Sequence, residues 1–368
     1  MGINCGIVGL PNVGKSTIFN AITRAGVPAA NYPFCTIDPN VGVVQVPDAR
    51  LDRLVTLVPT AKVVPTVMQF VDIAGLVAGA SRGEGLGNQF LGHIAEVDAL
   101  AHVVRCFDSE DVVHVSGAVD PARDVEIINT ELALKDLGVV TAAISRAEKL
   151  VKSGEKKAAA LLELLTRLAG PLNTGVPVRT GLAGLSAEAR ALVKPLNLLT
   201  AKPVLYVANI GEADAAAADT PQLRVLRDLA AKDGAPVVPI CGAIEAQIAA
   251  LDTDAERAEY LEAVGLKEPG LFRLIRAAYD LLGLITFFTV GPKEDRAWTI
   301  PRGATAPQAA GTIHSDFERG FIRAEVIGYD DFLACGSEAA ARERGKLRVE
   351  GKEYIVQDGD LMHFRFSV

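Results

Sequence analysis

The sequence lacks the long apolar runs, cysteine pairs and leader pattern of membrane and secreted proteins. No apolar run reaches the roughly 20 residues of a membrane span. The N-terminus enters a strand pattern without a basic stretch followed by an apolar one. The five cysteines form no paired metal-binding spacing, which is typical of reduced thiols in a cytoplasmic protein. We therefore expect a cytoplasmic protein that does not enter membranes, with two or three domains in its 368 residues.

Charge is unevenly distributed along the chain. The net charge is −8, yet residues 121–203 contain 12 lysines and arginines against 8 aspartates and glutamates. This segment is either a solvated helical hairpin or a module that faces nucleic acid. Charge alone favours the hairpin with no such partner.

A phosphate-binding loop lies near the N-terminus. Residues 9–16 read GLPNVGKS, between a short apolar strand pattern at 5–8 and a helical pattern at 16–25. Glycines at both ends let successive backbone N–H groups turn towards phosphate, and the helix N-terminus adds partial positive charge. In this motif the lysine, here Lys15, reaches the β- and γ-phosphates, and the hydroxyl of Ser16 can bind Mg²⁺.

The remaining pattern predicts an α/β fold. Apolar strands at residues 41–46, 66–73, 99–107, 203–208 and 236–240 alternate with helices, which is typical of a mainly parallel sheet covered on both faces. Two amphipathic helices, at about 124–151 and after a break at Ser153 and Gly154, interrupt it as a helical hairpin. Beyond a helix near 271–282, strand patterns at 286–290, 321–327, 351–356 and 362–366 predict a separate α+β domain.

The domain boundaries follow from this pattern. Residues 1–120 and 204–282 are predicted to form the nucleotide-binding domain, residues 121–203 the inserted arm, and residues 283–368 the C-terminal domain.

Two further segments suit a nucleotide switch. Asp72 begins an Asp-Ile-Ala-Gly run at a strand end, where an Asp holds Mg²⁺ through water. Thr36, in a proline-broken polar segment, is a natural second hydroxyl ligand, or else an ordinary turn threonine. The glycine-rich stretch 79–87 is either a second switch or a mobile lid.

The base-recognition motif departs from the guanine-specific one. Guanine-binding GTPases have Asn-Lys-x-Asp after the corresponding strand, whereas here Ile210 and Glu212 follow Asn209 in place of Lys and Asp. The longer Glu side chain moves the carboxylate outwards and weakens a bidentate fit to guanine. Residues 241–243 follow the last strand and suit a loop behind the base.

These motifs closely resemble those of the YchF/Obg-like ATPase family. The match includes residues 6–17, 31–40, 72–98, 198–209 and 297–326, and so extends over nearly the whole chain. The resemblance implies a P-loop GTPase-type domain of the Obg class, a coiled-coil arm and a C-terminal TGS domain of β-grasp type. It also implies Mg²⁺-dependent binding of ATP, at least as strong as that of GTP. It further implies association with the large ribosomal subunit or the whole ribosome, with RNA contacts made by the arm and the TGS domain.

The resemblance also assigns site residues. Nucleotide contacts fall on Asn12, Val13, Gly14, Lys15, Ser16, Thr17, Asn209, Ile210 and Glu212, and Mg²⁺ contacts on Ser16 and Thr36. The motifs add Asp72, through water, to the predicted Mg²⁺ contacts and Gly242, in the loop behind the base, to the predicted nucleotide contacts. Asn12 matches a position that is linked to a catalytic K⁺ in related GTPases, or it only shapes the loop; both interpretations stay open.

Hydrolysis requires a residue that positions water. Many P-loop GTPases have Gln directly after Asp-x-x-Gly, but Leu76 lies there and cannot hydrogen-bond to water. His93 flanks the apolar face of the next predicted helix, at residues 88–97, where it either caps the core edge or orients water. The family resemblance assigns it the catalytic role.

Three functions compete. The leading hypothesis is an ATP-hydrolysing switch that acts on translation or the stress response. A GTP-specific enzyme on the same scaffold is the first alternative, and Glu212 argues against it. The second is an RNA- or ribosome-binding module in which turnover is incidental. A P-loop kinase is disfavoured, because the sequence has no Arg-rich acceptor lid.

Overall fold

A computed structural model describes residues 3–26, 40–73, 86–109, 118–182, 184–216 and 219–367. The strands in these ranges are β1 (Asn4–Val8), β2 (Val41–Gln45), β3 (Val63–Val64), β4 (Val67–Asp72), β5 (Ala99–Arg105), β6 (Val204–Asn209), β7 (Val237–Ile240), β8 (Leu284–Thr289), β9 (Asp295–Pro301), β10 (Phe321–Ile327), β11 (Arg348–Glu350) and β12 (Leu361–Phe366). The helices are α1 (Lys15–Ala25), α2 (Ala49–Leu57), α3 (Leu86–Glu96), α4 (Pro121–Lys152), α5 (Lys156–Asn173), α6 (Arg179–Leu182), α7 (Ala187–Val193), α8 (Pro221–Asp233), α9 (Gly242–Ile248), α10 (Asp254–Ala263), α11 (Gly270–Leu281), α12 (Ala306–Ile313), α13 (Ser315–Arg319), α14 (Tyr329–Cys335) and α15 (Glu338–Glu343). Short 3-10 turns occur at Lys194–Leu196, Leu199–Ala201 and Glu212–Asp214.

The first of two compact units comprises Met1–Val44 and Gln69–Ala278. Its sheet has the strand order β2-β4-β1-β5-β6-β7, and the pairs β1–β4, β1–β5, β5–β6 and β6–β7 are parallel. All seven residues of β5 are buried, as the apolar run predicted. The predicted α/β fold is confirmed. Because parallel strands end at the same edge, the segments after β1, β4, β5 and β6 meet there.

The arm is a helical hairpin within this unit. Asp120 caps the N-terminus of α4 by accepting from the amides of Ala122 and Arg123. The break lies at Ser153 and Gly154, as predicted, and Gly154 adopts a φ of 87°. Helices α4 and α5 bury an apolar core of Ala133, Val140, Ala143, Ala147, Leu164, Leu165 and Leu172. The hairpin is thus held by a continuous apolar seam.

The second unit comprises Gln45–Met68 and Tyr279–Val368. Its mixed sheet has the order β11-β10-β12-β8-β9-β3, and its strands are consistent with a TGS-like β-grasp domain. Apolar clusters lie on both faces: Phe287, Val326 and Phe364 belong to one, and Phe288 and Ile327 to the other. No helix of the described residues is long and apolar enough to cross a membrane.

Residues 45–68 differ from the predicted domain boundaries, which gave them to the nucleotide-binding domain. They pack with the second unit instead: β3 pairs in parallel with β9, and α2 buries Leu51 and Leu54 in the cluster of Phe288. Arg50 of α2 also binds Asp358 at 2.9 Å. The sequence analysis did not predict that residues 45–68 belong to the second unit. Apolar periodicity shows that a helix has a buried face, but it does not show which partner covers that face.

Two further strand assignments in the second unit need correction. The predicted strand at residues 351–356 is wrong: the strand is the preceding β11, and Ile355 makes only an isolated bridge with Thr305. The prediction also missed β9, which reads DRAWTIP. Its charged and proline ends concealed a period of two, although β9 pairs with β8 on one side and with the short edge strand β3 on the other.

A buried ion pair at the base of the arm gives a test of stability. Arg179 donates to Asp233 at 2.9 Å and to Asn129, and Asp233 also accepts from the hydroxyl of Tyr206. Arg179→Met leaves the Asp233 carboxylate buried without its counterion, so we expect the free energy of unfolding to fall by about 3–5 kcal/mol. Urea denaturation followed by circular dichroism measures this.

The matched control is Arg224→Met. Arg224 pairs with Asp219 at 2.8 Å, but both side chains are more than half exposed, so water and salt screen the pair and its loss should change the free energy of unfolding little. Equal losses in the two variants would contradict a structural role for the Arg179 pair.

Candidate nucleotide-binding site

The loop between β1 and α1 has the backbone that a phosphate-binding loop requires. Gly14 adopts a φ of 91°, and a Cβ atom there would lie 2.1 Å from Nδ2 of Asn209. A Cβ on Gly9 would lie 2.7 Å from the carbonyl oxygen of Val103. Asn12 also has a positive φ, of 62°. Glycine is therefore required at both ends of the loop by close packing, and at Gly14 by backbone conformation as well.

The N-terminus of α1 is arranged for an anion. Among the described residues, no side chain caps this helix, and its first turn has no acidic residue. Ser16 and Thr17 in this turn are exposed. First-turn amides have no partner within a helix and carry partial positive charge. The loop and helix together can therefore bind phosphate.

A cavity of about 1060 Å³ opens onto this loop. It is larger than the cavity of about 690 Å³ in the second unit. It is lined by Leu10, Pro11, Asn12, Gly14, Lys15, Ser16, Thr17, Phe107, Asp108, Ser109, Asn209, Ile210, Gly211, Glu212, Cys241, Gly242 and Ala243. All the predicted nucleotide-binding residues line it except Val13, which is buried beneath the loop. Its volume is sufficient for a nucleotide.

Lys15 forms an ion pair at the phosphate end. Its Nζ lies 2.5 Å from Oδ1 of Asp72, and Lys15 is 8 % exposed. Asp72 is brought here because β4 lies beside β1, with Asp72 opposite Ile7. The Ser16 hydroxyl and the Asp72 carboxylate are hard oxygen donors of the type that Mg²⁺ prefers. Within the described ranges, no three His, Cys, Asp or Glu side chains cluster as metal ligands.

Several predicted switch features lie outside the described residues. These are Thr36 with its proline-broken segment, and the glycine-rich stretch as far as residue 85. Of the predicted Mg²⁺ residues, the structure therefore describes Ser16 and Asp72.

Asn209 joins the phosphate end of the cavity to the base end. Its Nδ2 donates to the carbonyl oxygen of Val13 at 2.9 Å, and its Oδ1 accepts from the amide of Gly242 at 3.0 Å. The side chain is buried, at the end of β6. Both ends of its amide are thus used to hold loops, so Asn209 shapes the cavity.

The base end has an apolar floor and an acidic rim. Ile210 is 3 % exposed, whereas Glu212 is exposed on the following 3-10 turn. Burial raises the pKa of the Cys241 thiol, so this side chain lines the cavity as a neutral group. These residues give an apolar wall where guanine-specific proteins have a lysine stem.

Phe107 is a cavity residue that the sequence analysis did not assign. The buried guanidinium of Arg105 lies 4.6 Å from the centre of its ring and donates to its carbonyl oxygen at 3.0 Å. Asp108 and Ser109 continue the same wall. The position directly after β5, at the edge where β1 and β6 also end, was the available signal.

His93 does not line this cavity. It is exposed on α3, while Phe90, Ile94 and Val97 are buried, as the helical spacing predicted. Its exposure leaves the imidazole accessible to water, and both interpretations of His93, at the core edge or in catalysis, stay open.

Comparison with known proteins agrees with these observations. A family described as 50S ribosome-binding GTPase matches residues 4–141, and the YchF-GTPase C-terminal family, described as of unknown function, matches residues 284–367. The chain is 56 % identical over 368 residues to the ribosome-binding ATPase YchF of Haemophilus influenzae, and 53 % identical over 369 residues to that of Bacillus subtilis; each match covers 100 % of both chains.

A solved structure extends the likeness to the fold. The YchF GTPase of Schizosaccharomyces pombe superimposes with a TM-score of 0.89 at 38 % identity, over 99 % of this chain and 98 % of that one. With full-length identity above half to curated relatives, a shared fold and the phosphate-binding loop in place, the chain belongs to the YchF family of P-loop nucleotide hydrolases.

Proposed function

We propose that the chain binds and hydrolyses ATP with Mg²⁺ and uses this cycle to control its association with ribosomes in the cytoplasm. The observation that carries the proposal is the cavity itself, in which a phosphate-binding loop faces a base end without the guanine-specific Lys and Asp. The names of the relatives, ribosome-binding ATPases, support it.

The phosphate end would hold the triphosphate. Backbone amides of the loop and of the first turn of α1, from Asn12 to Thr17, would bind phosphate oxygens. In the described state Asp72 holds the Lys15 ammonium, so phosphate oxygens would compete with that carboxylate for it. Phosphate binding would thus free the Asp72 oxygens for water around the metal.

Mg²⁺ fits the donors at this end. Ser16 and Asp72 would hold it, the latter through water, and Thr36 is the proposed second hydroxyl ligand. When bound, Mg²⁺ neutralises charge on the β- and γ-phosphates. A K⁺ ion at Asn12 remains one of two interpretations, beside a loop-shaping role.

The base end would favour adenine at least as much as guanine. Phe107 and Ile210 offer apolar surface for the faces of a purine, and the Glu212 carboxylate would accept from the adenine amino group. Gly242 would approach closely because it has no side chain. Asn209 would act mainly by holding the loops, since both ends of its amide are bonded.

His93 is the proposed catalytic residue. Leu76 takes the position where many related enzymes have a glutamine, so another group must orient the attacking water. An imidazole can accept a hydrogen bond from water. His93 lies on the exposed side of α3, and a movement of that helix towards the γ-phosphate would bring the ring to the reaction.

The arm, residues 121–203, and the C-terminal domain are the proposed ribosome- and RNA-contacting parts. Lys149 and Lys152 are exposed at the end of α4, together with Leu150 and Val151. Lys156 and Lys157 follow the turn; their side chains lie outside the described part. Basic groups beside exposed apolar ones suit an RNA–protein surface.

The first prediction concerns base choice. Calorimetry should give ATP a dissociation constant no larger than that of GTP. Changing Ile210→Lys together with Glu212→Asp should shift the ratio towards GTP by roughly ten- to hundredfold, because bidentate charged contacts contribute about 1–3 kcal/mol. The two single variants are the controls. Tenfold tighter binding of GTP by the parent, or an unmoved ratio in the double variant, would contradict this reading of the base end.

The second prediction concerns the chemistry. His93→Ala should leave the ATP dissociation constant nearly unchanged and lower kcat by roughly ten- to a thousandfold, because only water positioning is lost. Steady-state turnover and calorimetry measure the two quantities. Glu96→Ala, exposed on the same helix, is the matched control and should turn over ATP like the parent. Parent-like turnover by His93→Ala would remove His93 from the mechanism.

The third prediction concerns the arm. Replacing Lys149, Lys152, Lys156 and Lys157 with Glu should weaken cosedimentation with ribosomes and reduce its salt dependence, because phosphate contacts release counterions. ATP binding should remain intact.

A charge-matched pair controls for the change in net charge. Lys149→Glu with Lys152→Glu is compared with Lys232→Glu and Lys267→Glu, two exposed lysines of the same unit outside the arm. Equal losses of ribosome binding from both pairs, or no loss from the quadruple variant, would contradict the proposed contact and favour the interpretation of the arm as a solvated hairpin.

A further inference from the structure

One segment outside the cavity joins two elements that the proposed function uses. Residues 197–202 contain the 3-10 turn Leu199–Ala201 and lead into β6. They lie between α4, which continues to the arm tip, and the C-terminal end of α3, which carries His93. The nucleotide cavity does not include them, so binding leaves their role unexplained.

Asp136 fixes this segment to α4. Its Oδ1 accepts from the amide of Leu199 at 2.8 Å, and its Oδ2 accepts from the amide and hydroxyl of Thr200 at 2.7 and 2.6 Å. Asp136 is 1 % exposed and Thr200 is fully buried. A buried carboxylate with three donors fixes the register of the turn, because any slip would leave the charge unpaired.

Lys202 and Asn197 fix the other side of the segment to α3. The Lys202 ammonium donates to the carbonyl oxygens of Ala95 at 3.1 Å and Val97 at 2.6 Å. Asn197 donates to the same Ala95 oxygen at 3.2 Å. A cation there complements the negative end of the helix, so this contact stabilises the C-terminus of α3.

A cleft beside this linkage gives α3 room to move. It has a volume of about 530 Å³ and is lined by Leu91, Gly92 and Ala95 of α3, Lys135, Asp136 and Val139 of α4, and Leu196, Asn197 and Leu199. Gly92 directly precedes His93. The polar segment, rather than continuous packing, therefore joins the two helices at this level.

We propose that Asp136 and Lys202 are positioning residues, which transmit a displacement of the arm to α3 and thereby set the position of His93 for hydrolysis. This inference rests on the proposed roles of His93 and the arm. From Asp136 to Lys152 at the arm tip, α4 extends about 24 Å at about 1.5 Å per residue. An object bound at the tip would thus act on α3 through a rigid helix and two sets of hydrogen bonds.

The test compares ATP turnover with and without saturating purified ribosomes. In the parent, ribosomes should change kcat. Lys202→Met removes the ammonium donor and keeps a side chain of similar length. In this variant the ratio of kcat with ribosomes to kcat without them should be closer to one than in the parent, by a factor of at least about five. KM for ATP and the ribosome dissociation constant should stay within about twofold. Lys202→Arg, which keeps a cationic donor, should restore most of the ratio.

Asp136→Asn tests the other half of the linkage. Both residues act in one chain of contacts. The double variant, Asp136→Asn with Lys202→Met, should therefore lose no more of the ribosome effect on kcat than a single variant does, and the two losses should not multiply. Arg179→Met is the control for stability, since it weakens the arm base without touching α3; it should keep the parental ratio. Melting temperatures identify any variant that fails to fold.

The outcomes separate this inference from the proposed function. A parent that neither hydrolyses ATP nor binds ribosomes contradicts the proposed function. A parent that does both, with a kcat that ribosomes leave unchanged, overturns the linkage alone. So does a parental ratio in Lys202→Met, or a loss in Arg179→Met as large as in Lys202→Met.

Discussion

The buried amide of Asn209 is the constraint on which the site depends. Its two ends hold the carbonyl of Val13 and the amide of Gly242, which belong to loops more than 200 residues apart in the chain. Each of these backbone groups would otherwise be buried without a partner, at a cost of about 1–3 kcal/mol. Gly14 can only be glycine beside this amide. The phosphate loop and the base loop are therefore held at one separation before any ligand arrives.

Two helix ends of opposite polarity favour groups of opposite charge. The N-terminus of α1 presents amides to the cavity, where an anion is favoured, while the C-terminus of α3 presents carbonyls to Lys202. Lys15 and Lys202 illustrate the two uses of a shielded ammonium. Lys15 is held by a carboxylate that phosphate could displace, whereas Lys202 is held by backbone carbonyls outside the nucleotide cavity.

The sequence was sufficient to predict what depends on short-range pattern. The loop around Lys15, the strand that ends at Asp72, the helix with His93 beside its apolar face and the arm break at Gly154 all follow from spacing within about 20 residues, and the structure has these elements in the predicted places. The base end was partly predictable, because Ile210 and Glu212 depart from a known motif. What spacing could not reveal was the partner of each buried face.

The features that the prediction missed share a cause. Residues 45–68 join the second unit, Phe107 joins the cavity, and Asp136 binds amides 63 and 64 residues away. In the sequence, Asp136 is one more charge in an amphipathic helix, and a charge on such a helix is usually solvated. Only the fold shows that it faces inwards.

That inward charge determines how the arm can move. An apolar side chain at Asp136 could slide against its neighbours at little cost, whereas a buried carboxylate that binds three donors has one favourable register. The arm base is therefore more able to transmit a displacement than to absorb it. The segment is also bound on another side, because the hydroxyl of Thr200 accepts from the amide of Val178, directly before α6, at 3.1 Å. The cleft beside α3 is the free volume into which we expect a movement of α4 to pass.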